Sequence, residues 1–299
     1  MAPAYKPRNY KFLDKFAYFL PGVAEMFVLF GLLLAGALVG NILSVPFVAF
    51  LGFEKGMLYA QVVSYPLMFV GPMVYASIQS RNDSLRRPGR KLDSNHFSPL
   101  GGALCAVLVI LATLTASFCS DSILPLLPEM PERLKNAMEV LLKGDNVFIN
   151  FLTVSVFAPF FEEWLCRGMV LRGLLSKKIK PVWAILISAV FFGVIHLNPW
   201  QAVPAILLGL LFGYVYYKTG SLKLTMLMHF ANNTFVLVLS HLTGLEDAEE
   251  WQDILPGMQY WVVLGACILV LVLTVRAFSR IRPEQPEGNM DPVKPLFEE

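Results

Sequence analysis

The chain has 299 residues, 56% of them hydrophobic, 13% aromatic and only 15% charged, with a mean hydropathy of +0.59, whereas a soluble domain carries about 25% charged residues. That balance excludes a soluble globular domain and a disordered tail; a net charge of +2, with basic residues scattered over loops, excludes a nucleic-acid binder. Four cysteines, Cys105, Cys119, Cys166 and Cys267, are too few for a disulfide framework. The composition reads as an integral membrane protein, and between Val182 and Tyr217 there is not one Asp, Glu, Lys or Arg.

About 20 mainly apolar residues are needed to cross a hydrocarbon core roughly 30 Å thick. The sequence predicts an all-α, polytopic fold of about eight transmembrane helices: Val23 to Leu43, Met57 to Ala76, Ser98 to Phe118, Val147 to Leu171, Val182 to Leu197, Ala202 to Tyr217, Leu224 to Leu242 and Met258 to Phe278. Ahead of the first, Tyr10 to Leu20 sets Phe12, Phe16, Tyr18 and Phe19 among Lys11, Asp14 and Lys15, which suits an interfacial amphipathic helix or a plain membrane-proximal tail. The first span reads as a retained anchor, because its apolar run continues past the small residues Ala35, Gly36 and Ala37 that would suit signal cleavage. The fifth and sixth spans are short, and Asn198 and Pro199 between them predict a tight hairpin.

Loop charge gives the orientation, since cytoplasmic loops are rich in Lys and Arg. The amino-terminal tail (Lys6, Arg8, Lys11, Lys15), the loop after the second span (Arg81, Arg86, Arg87, Arg90, Lys91), the loop after the fourth (Arg172, Lys177, Lys178, Lys180), Lys218 and Lys223 after the sixth, and Arg280 and Arg282 after the eighth all read as inside. The intervening loops are neutral or acidic. Both termini are therefore expected in the cytoplasm, with residues 1–22 a cytoplasmic or interfacial segment, 23–145 an amino-terminal region of three spans, 146–243 a transmembrane core that carries the chemistry, and 244–299 the last span and a cytoplasmic tail.

Ionisable groups within spans cost roughly 2.5 to 3.5 kcal/mol each and call for a reason. The fourth span holds Glu162, Glu163 and Arg167. Glu163 and Arg167 are four apart, carboxylate first, the favourable order for a pair on one helical face, and read as structural support. Glu162 lies about 100° around the helix and is left unexplained. Low-dielectric surroundings make a carboxylate a better proton acceptor, which is what hydrolysis asks of a general base. His196 near the end of the fifth span and His229 early in the seventh, with Asn233 four residues on, bring polar groups from two further helices. Burying them without mutual partners would be prohibitive, so one shared site is expected, with Gly193, Gly209 and Gly213 allowing close helix approach. On straight, centred helices His196 would lie roughly 10 Å outward of its span's midpoint and His229 several ångströms inward. A shared site therefore requires tilted or staggered helices. Cys166 has no dedicated base and reads as packing; Phe160, Phe161, Phe191 and Trp164 read as lipid-facing or packing residues rather than substrate readers, and His96 and His241 read as ordinary.

Three motifs resemble those of the CAAX protease and bacteriocin-processing, or abortive-infection, family of intramembrane endopeptidases. The first is Glu162, Glu163 and Arg167 followed by Gly168, the second Phe192 and His196, and the third His229 and Asn233. Between the second and third, Gly209 to Leu222, with Thr219, Gly220 and Ser221, also fits. The resemblance runs from about Thr153 to Ser240. It implies an endopeptidase acting on a membrane-associated protein or peptide at the lipid bilayer. In this reading Glu162 activates a water that His196 helps to hold, His229 and Asn233 form an oxyanion hole, and Glu163 and Arg167 order the helix. No cofactor is then required. The alternative is Zn2+ on Glu162, His196 and His229, although the His-Glu-two residues-His helix motif is absent. A non-proteolytic membrane adaptor or immunity protein on the same fold, and a proton-coupled transporter, are the competing functions. Short loops and a basic amino terminus suit a bacterial inner membrane. The sequence names neither the substrate nor an oligomeric state.

Overall fold

The structure is a computed structural model, and it describes residues 12–143, 146–242, 251–283 and 290. Among these the chain is helical throughout, with no named strand. Seven helices are long and apolar enough to cross a membrane: α1 (Val23–Leu51), α2 (Phe53–Ser84), α3 (Gly102–Asp121, apolar through Leu126), α5 (Val147–Ser176), α7 (Pro199–Thr219), α8 (Leu222–Leu239) and α10 (Met258–Ser279). Two others lie between them, the amphipathic α4 (Glu132–Lys143) and α6 (Pro181–Val194); α9 (Trp251–Ile254) is a single turn. The expected eight segments are all present. The fifth, however, has only 14 residues, about 21 Å at 1.5 Å per residue, short of a full span.

Local chemistry sets the boundaries. Asn198 takes the extended conformation imposed by a following proline and caps α7, its side-chain oxygen accepting from the backbone N–H of Gln201 at 2.9 Å. The expected hairpin between α6 and α7 forms there. Gly220 at φ +60° closes α7, and the Ser221 hydroxyl caps α8 by accepting from the Leu224 N–H at 3.2 Å. Within α5 two stretches, Phe151–Phe157 and Trp164–Leu171, wind as π-helix around an α-helical Ala158–Glu163. Wider turns of this kind turn side chains off the 100° spacing and recur at functional sites.

Small residues let the first hairpin close. A Cβ on Gly36 would stand 2.6 Å from the Met68 carbonyl oxygen, and one on Gly40 3.0 Å from the Ser64 Cβ, so α1 and α2 approach backbone to backbone.

One end of the bundle is stitched by Arg172. Read from the sequence as a loop charge, it is wholly buried near the end of α5. Its five N–H donors reach five backbone carbonyls: Gly168 at 2.6 Å, Ala17 at 2.9 Å, Phe16 at 3.0 Å, Phe19 at 2.7 Å, and Arg90. The segment before α1, residues 12–22, accordingly forms neither a free tail nor a lipid-facing helix, while Tyr10 and Lys11 of the expected segment lie outside the described residues. It is a short 3-10 turn, Phe12–Phe16, after which Phe16, Ala17, Tyr18 and Phe19 are buried in the core, Phe16 edge-on to Trp164 at 5.1 Å. The loop between α2 and α3 docks on the same end, Ser94 and His96 donating their N–H groups to the carbonyls of Gly220 and Thr219 at 2.8 Å each. Lys218 reaches the Ser279 carbonyl at 3.1 Å. At the opposite end the Trp200 indole donates to the Pro128 carbonyl at 2.7 Å and the Trp251 indole to Asp121 at 2.8 Å.

Candidate active site

The two neighbouring glutamates have separate partners. Glu163 and Arg167, one turn apart on α5, are both fully buried and form an ion pair at 2.7 Å. Arg167 also donates to the Gly209 carbonyl at 3.1 Å, and its guanidinium lies 4.5 Å from the Phe192 ring centroid and 5.3 Å from that of Phe212, so the charge is met by a carboxylate, a carbonyl and two aromatic faces. A Cβ on Gly209 would come within 3.3 Å of the Arg167 terminal nitrogen and 3.2 Å of Ala189. Here the absent side chain is what admits the guanidinium.

Glu162 faces the other way. Its Oε1 accepts from the Tyr65 hydroxyl of α2. Its Oε2 has no hydrogen-bond partner among the described residues and lies 3.9 Å from Nε2 of His196 and 3.9 Å from Nε2 of His229. Both imidazoles are oriented from behind: Nδ1 of His196 contacts the Phe192 carbonyl at 2.8 Å and Nδ1 of His229 contacts Glu163 Oε1 at 3.2 Å. Phe192 stands edge-on to both rings, at 5.2 and 5.5 Å, which gives a packing reason for a phenylalanine four residues before His196. The Asn233 amide donates to the Val154 carbonyl at 2.8 Å, in the first π-helical stretch, and its Oδ1 accepts from Asn232 at 3.1 Å; an amide nitrogen has two hydrogens, so one is left for another acceptor.

All four candidates from the sequence, Glu162, His196, His229 and Asn233, line one cavity of about 600 Å3. The depth mismatch expected from straight spans is relieved by the shortness of α6. The helix stops at Val194, and His196 sits in the turn beyond it rather than on a helix that continues outward. Cys166 is buried in the core, with its carbonyl accepting from Ser188 at 2.9 Å, and Trp164 is wholly buried as well.

Tyr65 is the group that motif reading did not find. A signal existed: Gln61, Ser64, Tyr65 and Met68 follow helical i, i+3, i+4, i+7 spacing and all four line the cavity.

As a donor set, one Glu and two His match known zinc sites. A tetrahedral zinc with bonds of about 2.0–2.2 Å holds its donors roughly 3.3 Å apart; the two 3.9 Å separations here are wider. Among the described residues no group of three His, Cys, Asp or Glu is set to hold a metal ion. The residues as arranged do not fit the group, and no step below is routed through it.

Comparison with known proteins agrees with the motifs. Residues 144–235 match the family model of the Rce1-like type II CAAX prenyl endopeptidases. The chain is 27% identical over 105 residues to the putative membrane peptidase YdiL of Bacillus subtilis, a match covering 35% of this chain and 43% of that protein. It is 23% identical over 210 residues to the membrane-embedded CAAX protease MroQ of Staphylococcus aureus, covering 66% of this chain and 80% of the relative. No solved structure matches. Its central segment is thus similar to the Rce1-like CAAX prenyl endopeptidases, and the glutamates, both histidines and Asn233 all fall inside the matched residues.

Proposed function

We propose that the protein is an intramembrane endopeptidase in which Glu162 is the general base. The observation that carries this reading is the unpartnered Oε2 of Glu162, 3.9 Å from each of two imidazole Nε2 atoms. A water bridging Oε2 of Glu162 and Nε2 of His196, 3.9 Å apart, sits at hydrogen-bond distances of about 2.8 Å from both. Glu162 takes a proton from that water while the oxygen attacks the scissile carbonyl, and His196 holds the water in line. The carbonyl oxygen becomes an oxyanion, met by the free N–H of Asn233 and by Nε2–H of a His229 that carries a proton on both ring nitrogens, its Nδ1–H held by Glu163. Collapse of the intermediate breaks the C–N bond, the proton passes from Glu162 to the departing amine, and the products are a carboxylic acid and an amine. General-base catalysis contributes typically 10²–10⁴-fold and each oxyanion donor about 10²–10³-fold.

The substrate is a membrane-associated protein or peptide whose scissile bond enters the cavity, and residues 146–243 form the catalytic core. The basic loops support a topology with both termini in the cytoplasm, and the short loops and basic amino terminus support a bacterial inner membrane. The test is comparative proteomics of membrane peptides in cells carrying the wild type or Glu162→Gln. Fragments present with the wild type and missing with a folded, inserted variant are expected; an unchanged fragment set overturns the reading in favour of an adaptor on the same fold. Activity retained in strong chelator is expected of the metal-free route, and activity abolished there and restored by Zn2+ would contradict it.

A further inference from the structure

Of the groups in contact with Glu162, Tyr65 comes from outside residues 144–235. It stands on α2, 97 positions before the glutamate in sequence. Its hydroxyl donates to Oε1, which makes the two carboxylate oxygens unequal: Oε1 is bonded within the protein, and Oε2 alone faces His196 and His229. The terminal torsion of a glutamate is broad and roughly two-fold. Without an anchor the carboxylate would rotate and the two oxygens would exchange places.

The ring that carries this hydroxyl is itself fixed. Phe69, one turn on, lies 5.7 Å from the Tyr65 ring and stacks at 5.1 Å on Phe161, the residue before Glu162. Phenol and carboxylate are therefore seated by adjacent parts of one aromatic contact. The depth of α2 is set in turn by α1, because the near-contacts of Gly36 with Met68 and of Gly40 with Ser64 fall within a turn of Tyr65 on either side.

We propose that Tyr65 is a positioning residue of the site: its hydroxyl anchors Oε1 of Glu162 and so aims Oε2 at the attacking water, and the α1–α2 hairpin serves to hold that hydroxyl in place. The proposal rests on the reading of Glu162 as general base. It gives the amino-terminal spans, which lie outside the motif region, a defined part in the reaction. Misplacement of a reacting group by about 1 Å can cost on the order of 10²-fold in rate, so the loss on removing the anchor is expected in turnover, with substrate binding spared.

The experiment uses the full chain, purified and reconstituted in proteoliposomes, with a membrane peptide that the wild type cleaves. Tyr65→Phe keeps the ring and removes one oxygen; Tyr65→Ala removes both. The expected result is kcat lower by about 10-fold or more in Tyr65→Phe, a comparable loss in Tyr65→Ala, KM within about twofold of wild type, and a melting temperature for Tyr65→Phe close to wild type. If Tyr65 only packs, phenylalanine rescues it, and wild-type kcat in Tyr65→Phe overturns the proposal. A loss confined to KM overturns it as well, since that marks a substrate contact. Phe69→Leu, which keeps the hydroxyl and takes away the ring that Tyr65 leans on, is the second variant: a kcat loss with KM unchanged is expected, and wild-type kcat counts against the proposal. Glu162→Gln, run in parallel, keeps the two readings apart. A dead Glu162→Gln with a fully active Tyr65→Phe removes only the role of Tyr65, whereas an active Glu162→Gln removes the glutamate-base mechanism itself.

Discussion

Glu163 and Arg167 differ from Glu162 by what surrounds them. Both are fully buried, and each is paired with the other and with a second helix, Arg167 with the Gly209 carbonyl and Glu163 with His229, although Glu163 Oε2 and Arg167 Nε have no partner among the described residues. Removing one partner of a buried ion pair strands the other and costs about 3–5 kcal/mol. Arg167→Met is therefore expected to lower the melting temperature sharply in detergent. The double variant Arg167→Met with Glu163→Gln should recover part of the loss, because no lone charge remains. Equal melting of Arg167→Met and wild type would contradict a structural role for the pair. Such i, i+4 relations were legible in the sequence because helical geometry alone defines them. The carbonyl of Gly209 was not, since backbone acceptors carry no side-chain signature; for Tyr65 only its place on one helical face was legible, because a contact with Glu162 97 residues away in sequence depends on how helices pack.

Among the elements, α6 decides whether the site exists. Its 14 residues end at the depth of Glu162, and its hairpin with α7 is pulled tight at Gly193, where a Cβ would meet Ile206 Cγ1 at 2.5 Å and the Ala202 carbonyl oxygen at 2.9 Å. Gly193→Ala forces the two helices apart three residues before His196. The expected outcome is a kcat lower by about 10- to 100-fold with a lower melting temperature; wild-type kcat would show that His196 is held independently of this contact. The hairpin turn was readable from Asn198 and Pro199, whose backbone preferences are local. The π-helical turns of α5 were not, because no residue type encodes them; in the structure Val154 meets Asn233 and Trp164 meets Phe16 within those stretches.

For the whole molecule, the segments read as one side from their charge are tied together in space. Arg172 joins the chain before α1 to the loop after α2, that loop joins the turn between α7 and α8, and Lys218 at the end of α7 joins the end of α10. Nothing in the residue pattern marks Arg172 as a buried clamp, because a guanidinium at a helix end looks the same whether it faces water or carbonyls. Alternation of basic loops predicts that reporters fused to either terminus face the cytoplasm; opposite locations of the two would contradict that reading and mean an odd number of crossings.

The same end of the molecule carries a pH-sensitive lock outside the membrane-spanning helices. Burial pushes the Asp93 carboxyl up, but hydrogen bonds from Lys223 and Asn95 outweigh it and hold the group below its ordinary value of 3.8. Asp93 sits 2.8 Å from the Lys223 ammonium and accepts from the Lys223 N–H at the start of α8. A carboxylate depressed in the folded state adds stability that is present above the unfolded value of about 3.9 and lost as pH falls through the folded one. Asp93→Asn is expected to melt below wild type at pH 6 and to converge with it on acidification below about pH 4; a gap that stays constant with pH would contradict the lock.

The central claim is that side chains from α5, α8 and the turn after α6 make one water-activating site within the membrane. Its most direct test is single-turnover cleavage of a membrane peptide by the purified protein in proteoliposomes, comparing wild type with Glu162→Gln at matched folded fraction. The account predicts at least a 10²-fold slower chemical step in the variant, with peptide binding retained. Cleavage at the wild-type rate by folded Glu162→Gln would contradict it.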